Sequence, residues 1–269
     1  MPDFPFEAVI FDLDGTVYLG DSLIPGADRT ISRLRDAGVA VIFLTNKAID
    51  RRETYSRKLT NLGVPTETAD IINSGWVTAQ YIKEQYPESR VFVIGEDPLV
   101  DELEAADIEV TTEEPGELVV VSMDRKFTYE KLDLALQSVN RGAPFVATNP
   151  DRTCPVSDGE IPDAAGMIGA VEEVTGETVD AVLGKPSRTM VETLMEVLGA
   201  APEECLMVGD RPETDIAMGD RAGMQTALVL SGVTDQSGLE ETTYDPDYIF
   251  ESVADLGIVT EAPRVVSDE

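Results

Sequence analysis

The feature that most constrains this chain is a set of short, near-continuous apolar runs that each end on polar residues or glycine. Ala8-Val9-Ile10-Phe11 ends in Asp12, and Val39-Ala40-Val41-Ile42-Phe43-Leu44 ends in Thr45-Asn46. Cys205-Leu206-Met207-Val208 ends in Gly209-Asp210, and Thr226-Ala227-Leu228-Val229-Leu230 ends in Ser231-Gly232. A strand apolar at every position, rather than at alternate ones, is buried on both faces. Helical patterns lie between these runs. Ala27, Ile31 and Leu34 share one face of a helix that ends at Gly38. Asp50 and Glu53 resemble a capping box before the stripe Tyr55, Leu59 and Leu62. Pro186 opens a helix carrying Met190, Leu194 and Val197, and Gly199 closes it. This alternation predicts an α/β fold built on a parallel sheet.

The stretch between the second and third runs is far longer than one crossover needs. It carries strand-like runs of its own, Val91–Ile94, Leu118–Val121 and Pro144–Ala147. A second, smaller α/β domain inserted into the first is the simplest account. Its expected extent is residues 82–180, with the main domain formed by 1–81 and 181–269. The final nine residues, Glu261 onward, read as a frayed end.

Composition removes several chemistries. The chain has no histidine, which excludes Ser-His-Asp triads, phosphohistidine transfer and His-ligated metals. Its two cysteines, Cys154 and Cys205, belong to no paired motif and read as a small loop residue and a buried apolar one. A formal net charge of -32 disfavours nucleic acid and anionic membrane surfaces as partners. No apolar run approaches the roughly 20 residues that cross a bilayer. The N-terminus, MPDFPF, lacks the features of a secretory signal, so a cytoplasmic location is expected. The acids are spread along folded-looking segments, which argues against disorder, and so acidic a surface suits a halophilic, high-salt cytoplasm where screening suppresses self-repulsion; an acidic mesophilic enzyme is the alternative.

In open parallel sheets ligands sit beyond the carboxyl ends of the strands, where the strand order reverses. Asp12, Thr45-Asn46 and Asp210 all fall at such ends. Asp12-Leu13-Asp14-Gly15-Thr16 sets two carboxylates around a tight turn, and Asp210 with Asp215 adds two acids on one loop entering a helix. Acids so crowded call for a cation, and hard oxygen donors without histidine favour Mg²⁺ over zinc. Lys185, in Gly184-Lys185-Pro186-Ser187, would balance negative charge there.

These residues resemble the four motifs of the haloacid dehalogenase superfamily: DLDGT at 12–16, TN at 45–46, GKP at 184–186 and GDRPETD at 209–215. The insertion resembles the C2-type cap of the subgroup that includes NagD and 4-nitrophenylphosphatase-like phosphatases. DGTVYLGDSLIPGA at 14–27 and ATNPD at 147–151 are similar to stretches of that subgroup. The resemblance implies a Rossmann-like core with an inserted cap, and a Mg²⁺-dependent phosphatase of small phosphorylated metabolites such as nucleotides, sugar phosphates or phosphoglycolate. It implies that Asp12 is the nucleophile and Asp14 the acid and base. Thr45, Asn46 and Lys185 would hold the phosphoryl oxygens. Mg²⁺ would be held by Asp12, the Asp14 carbonyl and Asp210, with Asp215 a direct or more distant partner. Caps of this kind often form homodimers in the family. Lys47 departs from the Asn or Ser frequent after the TN pair, and is expected to point to solvent.

Two rival readings differ in chemistry. A phosphotransferase or mutase would use the same aspartyl-phosphate with a second acceptor held in the cap. A non-catalytic receiver-like domain also presents strand-end aspartates and a lysine, but Asp14 and the large insertion argue against it. The charge reading has its own test. Thermal unfolding should show a higher midpoint in about 3 M than in about 0.1 M KCl, because screening shortens to within contact distance. A lower midpoint at high salt would identify an acidic protein of ordinary surroundings.

Overall fold

The four leading apolar runs become strands of one sheet in the computed structural model, which describes residues 4–156 and 159–258. The frayed end expected from Glu261 onward lies outside the described residues. Across the sheet the strand order is Tyr248–Phe250, Gln225–Val229, Cys205–Gly209, Ala8–Asp12, Ala40–Thr45 and Ile71–Asn73. Ala8–Asp12 pairs in parallel with both neighbours, Ile10 lying opposite Met207 on one side and Ile42 on the other. From this central strand the chain first builds toward Ile71–Asn73, then returns to build the other side from Cys205. The order therefore reverses between Ala8–Asp12 and Cys205–Gly209, and a crevice forms at the carboxyl ends of such a pair.

Burial on both faces explains the unbroken apolar character. Val9, Phe11, Val41, Phe43, Leu206 and Val208 point into one core with Ile31, Leu34, Tyr55 and Leu59 from the covering helices. Ala8, Ile10, Leu44, Met207 and Leu228 alternate with them and are equally buried. Phe11 and Phe43 stack across adjacent strands with ring centroids 6.2 Å apart. The helix Ala27–Asp36 buries the stripe read from the sequence. The helix expected from Pro186 instead begins at Arg188, because the Ser187 hydroxyl accepts the Met190 N–H at 3.1 Å and serves as its cap.

The chain divides into two compact units. The first comprises the described residues up to Thr45, Tyr55–Ile72, and those from Val191 on; the second comprises Asn46–Thr54 and Asn73–Met190. The second unit is wider than the expected 82–180, and packing supplies the reason. Ala79 and Ile82, on the helix Ser74–Gln85, join Val91, Val93, Leu118 and Val120 in one core. Ala181–Val182 pairs with Phe145–Ala147 and so belongs to this unit's sheet. That sheet has the order Ala181–Val182, Phe145–Ala147, Leu118–Val121, Val91–Ile94 and Val110–Thr111, with every pairing parallel. Its opposite face is closed by Phe92, Ile94, Val119, Val121 and Phe145 with Met167, Ile168 and Val171 of the helix Ala164–Thr175.

Cys154 differs from its expected loop position. It is buried on the strand Thr153–Val156, which pairs antiparallel with Gly159–Pro162. Cys205 is buried as expected; burial and then the Glu204 carboxylate push its thiol up to about 11. A thiol so protonated at neutral pH is no nucleophile. Among the described residues no helix is long and apolar enough to cross a membrane.

Candidate active site

In the first unit the strand order reversal brings acids together from distant parts of the chain. Asp12 ends its strand, Asp210 follows Gly209 at the end of the neighbouring one, and both are buried. Asp215 comes from the single wide turn Pro212–Ile216 and is also buried. That turn is fixed locally: the Asp215 N–H donates to the Arg211 carbonyl at 2.9 Å, and the Arg211 N–H donates to the Asp215 carboxylate at 3.1 Å. One carboxylate oxygen from each of Asp12, Asp210 and Asp215 lies within 4.8 Å of the others.

Glycines make this crowding sterically feasible. A β-carbon at Gly209 would strike the Asp215 carboxylate, and one at Gly232 or Gly15 would strike that of Asp210. Gly15 also has φ +86, a left-handed conformation that closes the turn after Asp12 and that other residues adopt only with strain. The Ser231 hydroxyl donates to the Gly15 carbonyl at 2.7 Å, tying the two loops together. The Val233 N–H donates to Asp210 Oδ2 at 2.6 Å, while Asp210 Oδ1 is buried with no partner among the described residues. Gly232 and Val233 were not legible as site residues; only the Ser-Gly at the end of an apolar run hinted at them.

Electrostatics follows from this geometry. Burial first, then the charges of Asp12 and Asp215, push the Asp210 carboxyl well above the ordinary carboxylate range. A cation would remove the conflict. Oxygen ligands about 2.1 Å from one octahedral Mg²⁺ lie roughly 3–4 Å apart, a span this trio reaches with small adjustment. The orphaned Asp210 oxygen and the all-carboxylate donor set both fit such an ion.

Asp14 lies on the turn that follows Asp12. It is half-buried, and the Tyr18 hydroxyl donates to its Oδ2 at 3.4 Å. Burial, then the Asp14 charge, pushes the Tyr18 hydroxyl far up, so it stays a donor at any working pH. Lys58 Nζ lies 3.8 Å from the centre of the Tyr18 ring. The buried acidic cluster itself is made by Asp12 with Asp210 and Asp215. Thr45 is buried at the end of its strand.

The remaining expected residues lie in the second unit. Lys185 is buried, and its N–H donates to Asn46 Oδ1 at 2.7 Å. Asn46 Nδ2 donates to the Lys185 carbonyl and to Asp151 Oδ2, both at 3.1 Å. Asn149 adds its own amide, donating to the Asn46 carbonyl at 3.2 Å. Lys47 is half-buried.

The family description "Haloacid dehalogenase-like hydrolase" matches residues 9–109, and a second, "HAD-hydrolase-like", matches 182–256. The chain is 40% identical to the sugar-phosphatase AraL of Bacillus subtilis over 254 residues, spanning 94% of this chain and 93% of that protein. It resembles the crystal structure of a 4-nitrophenylphosphatase from Thermotoga maritima with a TM-score of 0.90 at 35% identity, covering 95% of this chain and 98% of that one. NagD of E. coli K-12 matches with a TM-score of 0.84 at 29% identity, covering 93% and 97%. The fold is accordingly a Rossmann-like core with a cap.

The charge crowding predicts a pH effect whose sign is fixed. An acid with a raised folded pKa holds its proton in the folded state after the unfolded chain has lost it. Stability from this source is present at low pH and lost as pH rises from the ordinary carboxylate range toward the raised value. In EDTA, wild-type protein should lose thermal stability between about pH 5 and about pH 8 more steeply than Asp210→Asn, which cannot ionise there. Net-charge repulsion is common to both, so parallel curves would refute the crowding.

Proposed function

The chain belongs to the haloacid dehalogenase-like hydrolases and is a phosphatase; from that premise we propose that it is Mg²⁺-dependent, takes small phosphorylated metabolites, sugar phosphates foremost, and works through Asp12. The observation that carries this reading is the buried Asp12–Asp210–Asp215 cluster at the strand order reversal, with one Asp210 oxygen unpartnered. The 40% identity to a sugar phosphatase favours sugar phosphates within the wider class.

Each step of the proposed reaction is assigned to a residue. An Asp12 oxygen attacks phosphorus as the bond to the ester oxygen breaks, and the Asp14 carboxyl gives that leaving oxygen its proton. Water then attacks the aspartyl-phosphate, Asp14 takes the water proton, and the bond to Asp12 breaks to release inorganic phosphate. The Tyr18 hydroxyl bond to Asp14 limits the orientations this carboxylate can take. Thr45, Asn46 and Lys185 form the phosphate-binding set. Asp12, Asp210, the Asp14 carbonyl and Asp215, directly or through water, would hold Mg²⁺, which supplies positive charge for the phosphoryl oxygens. Residues 82–180, which lie within the second unit, serve as the cap. The excess of 52 acidic over 20 basic residues makes a high-salt cytoplasm part of the same proposal.

Hydrolysis of 4-nitrophenyl phosphate and of a panel of sugar phosphates tests this directly. Activity should appear with Mg²⁺ and disappear in EDTA. Asp12→Asn should lose at least about three orders of magnitude in kcat, and Asp14→Asn about two to four. Full activity in Asp12→Asn would remove the assigned nucleophile.

A further inference from the structure

The hydrogen bonds around Asn46 bear on what its side chain does. A primary amide has two N–H donors and one carbonyl acceptor. Both donors of Asn46 are engaged, one by the Lys185 carbonyl and one by Asp151 Oδ2, each at 3.1 Å. Its Oδ1 accepts the Lys185 N–H at 2.7 Å, and because that N–H can only donate, the amide orientation is fixed. A phosphoryl oxygen needs a donor, and this amide has no N–H left to give. The Asn46 main chain is held as well, its carbonyl accepting from Ser74 Oγ and from Asn149 Nδ2.

We propose that the Asn46 side chain is not a phosphate ligand but a clip that fixes the Lys185 backbone, and that Asp151 is the positioning residue that holds the clip. The inference rests on the phosphate-binding set proposed above and reassigns one member within it. Several observations converge on it. Lys185 and Asn46 are separated by 139 positions in the sequence, yet the amide spans both the N–H and the carbonyl of that one residue. Anchoring both peptide groups that flank one α-carbon restricts its φ and ψ, and so the direction in which a long lysine side chain leaves. Gly184 permits the close approach: a β-carbon there would lie 2.6 Å from Asn46 Oδ1 and 2.5 Å from the Thr148 carbonyl. Asn149 reinforces the arrangement, with Nδ2 3.3 Å from both Asp151 Oδ2 and Asp163 Oδ1. Buried polar groups are normally hydrogen-bonded, and a network satisfied at every member holds those members rigidly in place.

Chemistry explains why an amide and a carboxylate suit these places. Aspartate at position 46 could still accept the Lys185 N–H but would set a second acceptor against the Lys185 carbonyl and Asp151. Asparagine at 151 can keep an acceptor toward Asn46, so a weak phenotype is expected there; alanine removes it.

The test has two arms, one independent of catalysis. In the first, amide hydrogen exchange of the segment containing Lys185 is measured in wild type, Asn46→Ala and Asp151→Ala, each checked for an intact fold by its thermal transition. Exchange should accelerate about tenfold or more in Asn46→Ala and by a smaller factor in Asp151→Ala, as expected when a hydrogen bond protecting an amide is removed. Unchanged protection in both would overturn the clip. In the second arm, kcat and KM are measured in a cycle with Lys185→Met. Asn46→Ala should reduce kcat/KM at least about tenfold alone but less than about twofold in the Lys185→Met background, because it acts through the lysine. A full additional loss in that background would make Asn46 a direct phosphate contact and overturn the proposal. Full activity in Lys185→Met would instead overturn the phosphate-site reading, and the exchange arm alone would then decide the clip. Asp151→Asn should retain most of the activity lost in Asp151→Ala; equal losses would overturn Asp151 as an acceptor for Asn46.

Discussion

Three buried carboxylates meeting at one edge of a parallel sheet set the terms for the rest of the first unit. Like charges that share a low-dielectric site repel, and burial alone disfavours ionisation. Folding overcomes this because the acids are not placed independently. Asp12 and Asp210 arrive on adjacent strands whose registers are set by apolar residues, Phe11 beside Val208 and Phe43. Asp215 arrives on a turn that its own carboxylate closes. Gly15, Gly209 and Gly232 leave the space. Stability of the two-faced core thus holds together a cluster that would otherwise disperse, and a bound cation would turn this strain into binding energy. Placing a site on strand ends gives positions too rigid to relax by rotating away.

The second unit handles its buried polar groups differently. There the groups are matched, donor against acceptor, around Asn46, Asn149, Asp151 and the Lys185 backbone. The contrast is informative. A metal site needs acceptors left unsatisfied, as with Asp210 Oδ1. An ammonium that must point one way needs its own backbone saturated and still. Both arrangements grow from strand ends, because Asn46 follows Ala40–Thr45 and Lys185 lies just beyond Ala181–Val182.

Much of this was legible in the sequence, for a physical reason. Strands buried on both faces leave unbroken apolar runs, so Ala8–Asp12, Ala40–Thr45 and Cys205–Gly209 could be read within a residue or so. Polar residues at a strand end then stand at a readable place, which singled out Asp12, Thr45 and Asp210 as candidates. Contacts between distant segments leave no such trace. Ser231 meets Gly15 across 216 positions, and Asn149 meets Asn46 across 103. Neither pairing follows from local spacing. The compact second unit reaches beyond 82–180 for the same reason: whether the helix Ser74–Gln85 packs with one core or the other is decided by Ala79 and Ile82 finding Val91 and Val93. Asp14 was legible as a neighbour of Asp12, but not that its carboxylate accepts from the Tyr18 hydroxyl.

The acidity of the whole chain, finally, bears on the chemistry. A phosphate ester is an anion, and a protein of net charge -32 repels it at long range, slowing encounter at low salt. Catalysis needs the opposite field at short range. The two requirements separate by distance: at about 1 M salt the screening length is only about 3 Å, so surface charge fades beyond contact. Buried groups are screened far less, so Lys185 and a cation held by Asp12, Asp210 and Asp215 would keep their full local effect. An acidic surface is compatible with an anionic substrate provided that the positive charge is buried and fixed in direction, and the paired amide and backbone groups around Lys185 supply that fixation.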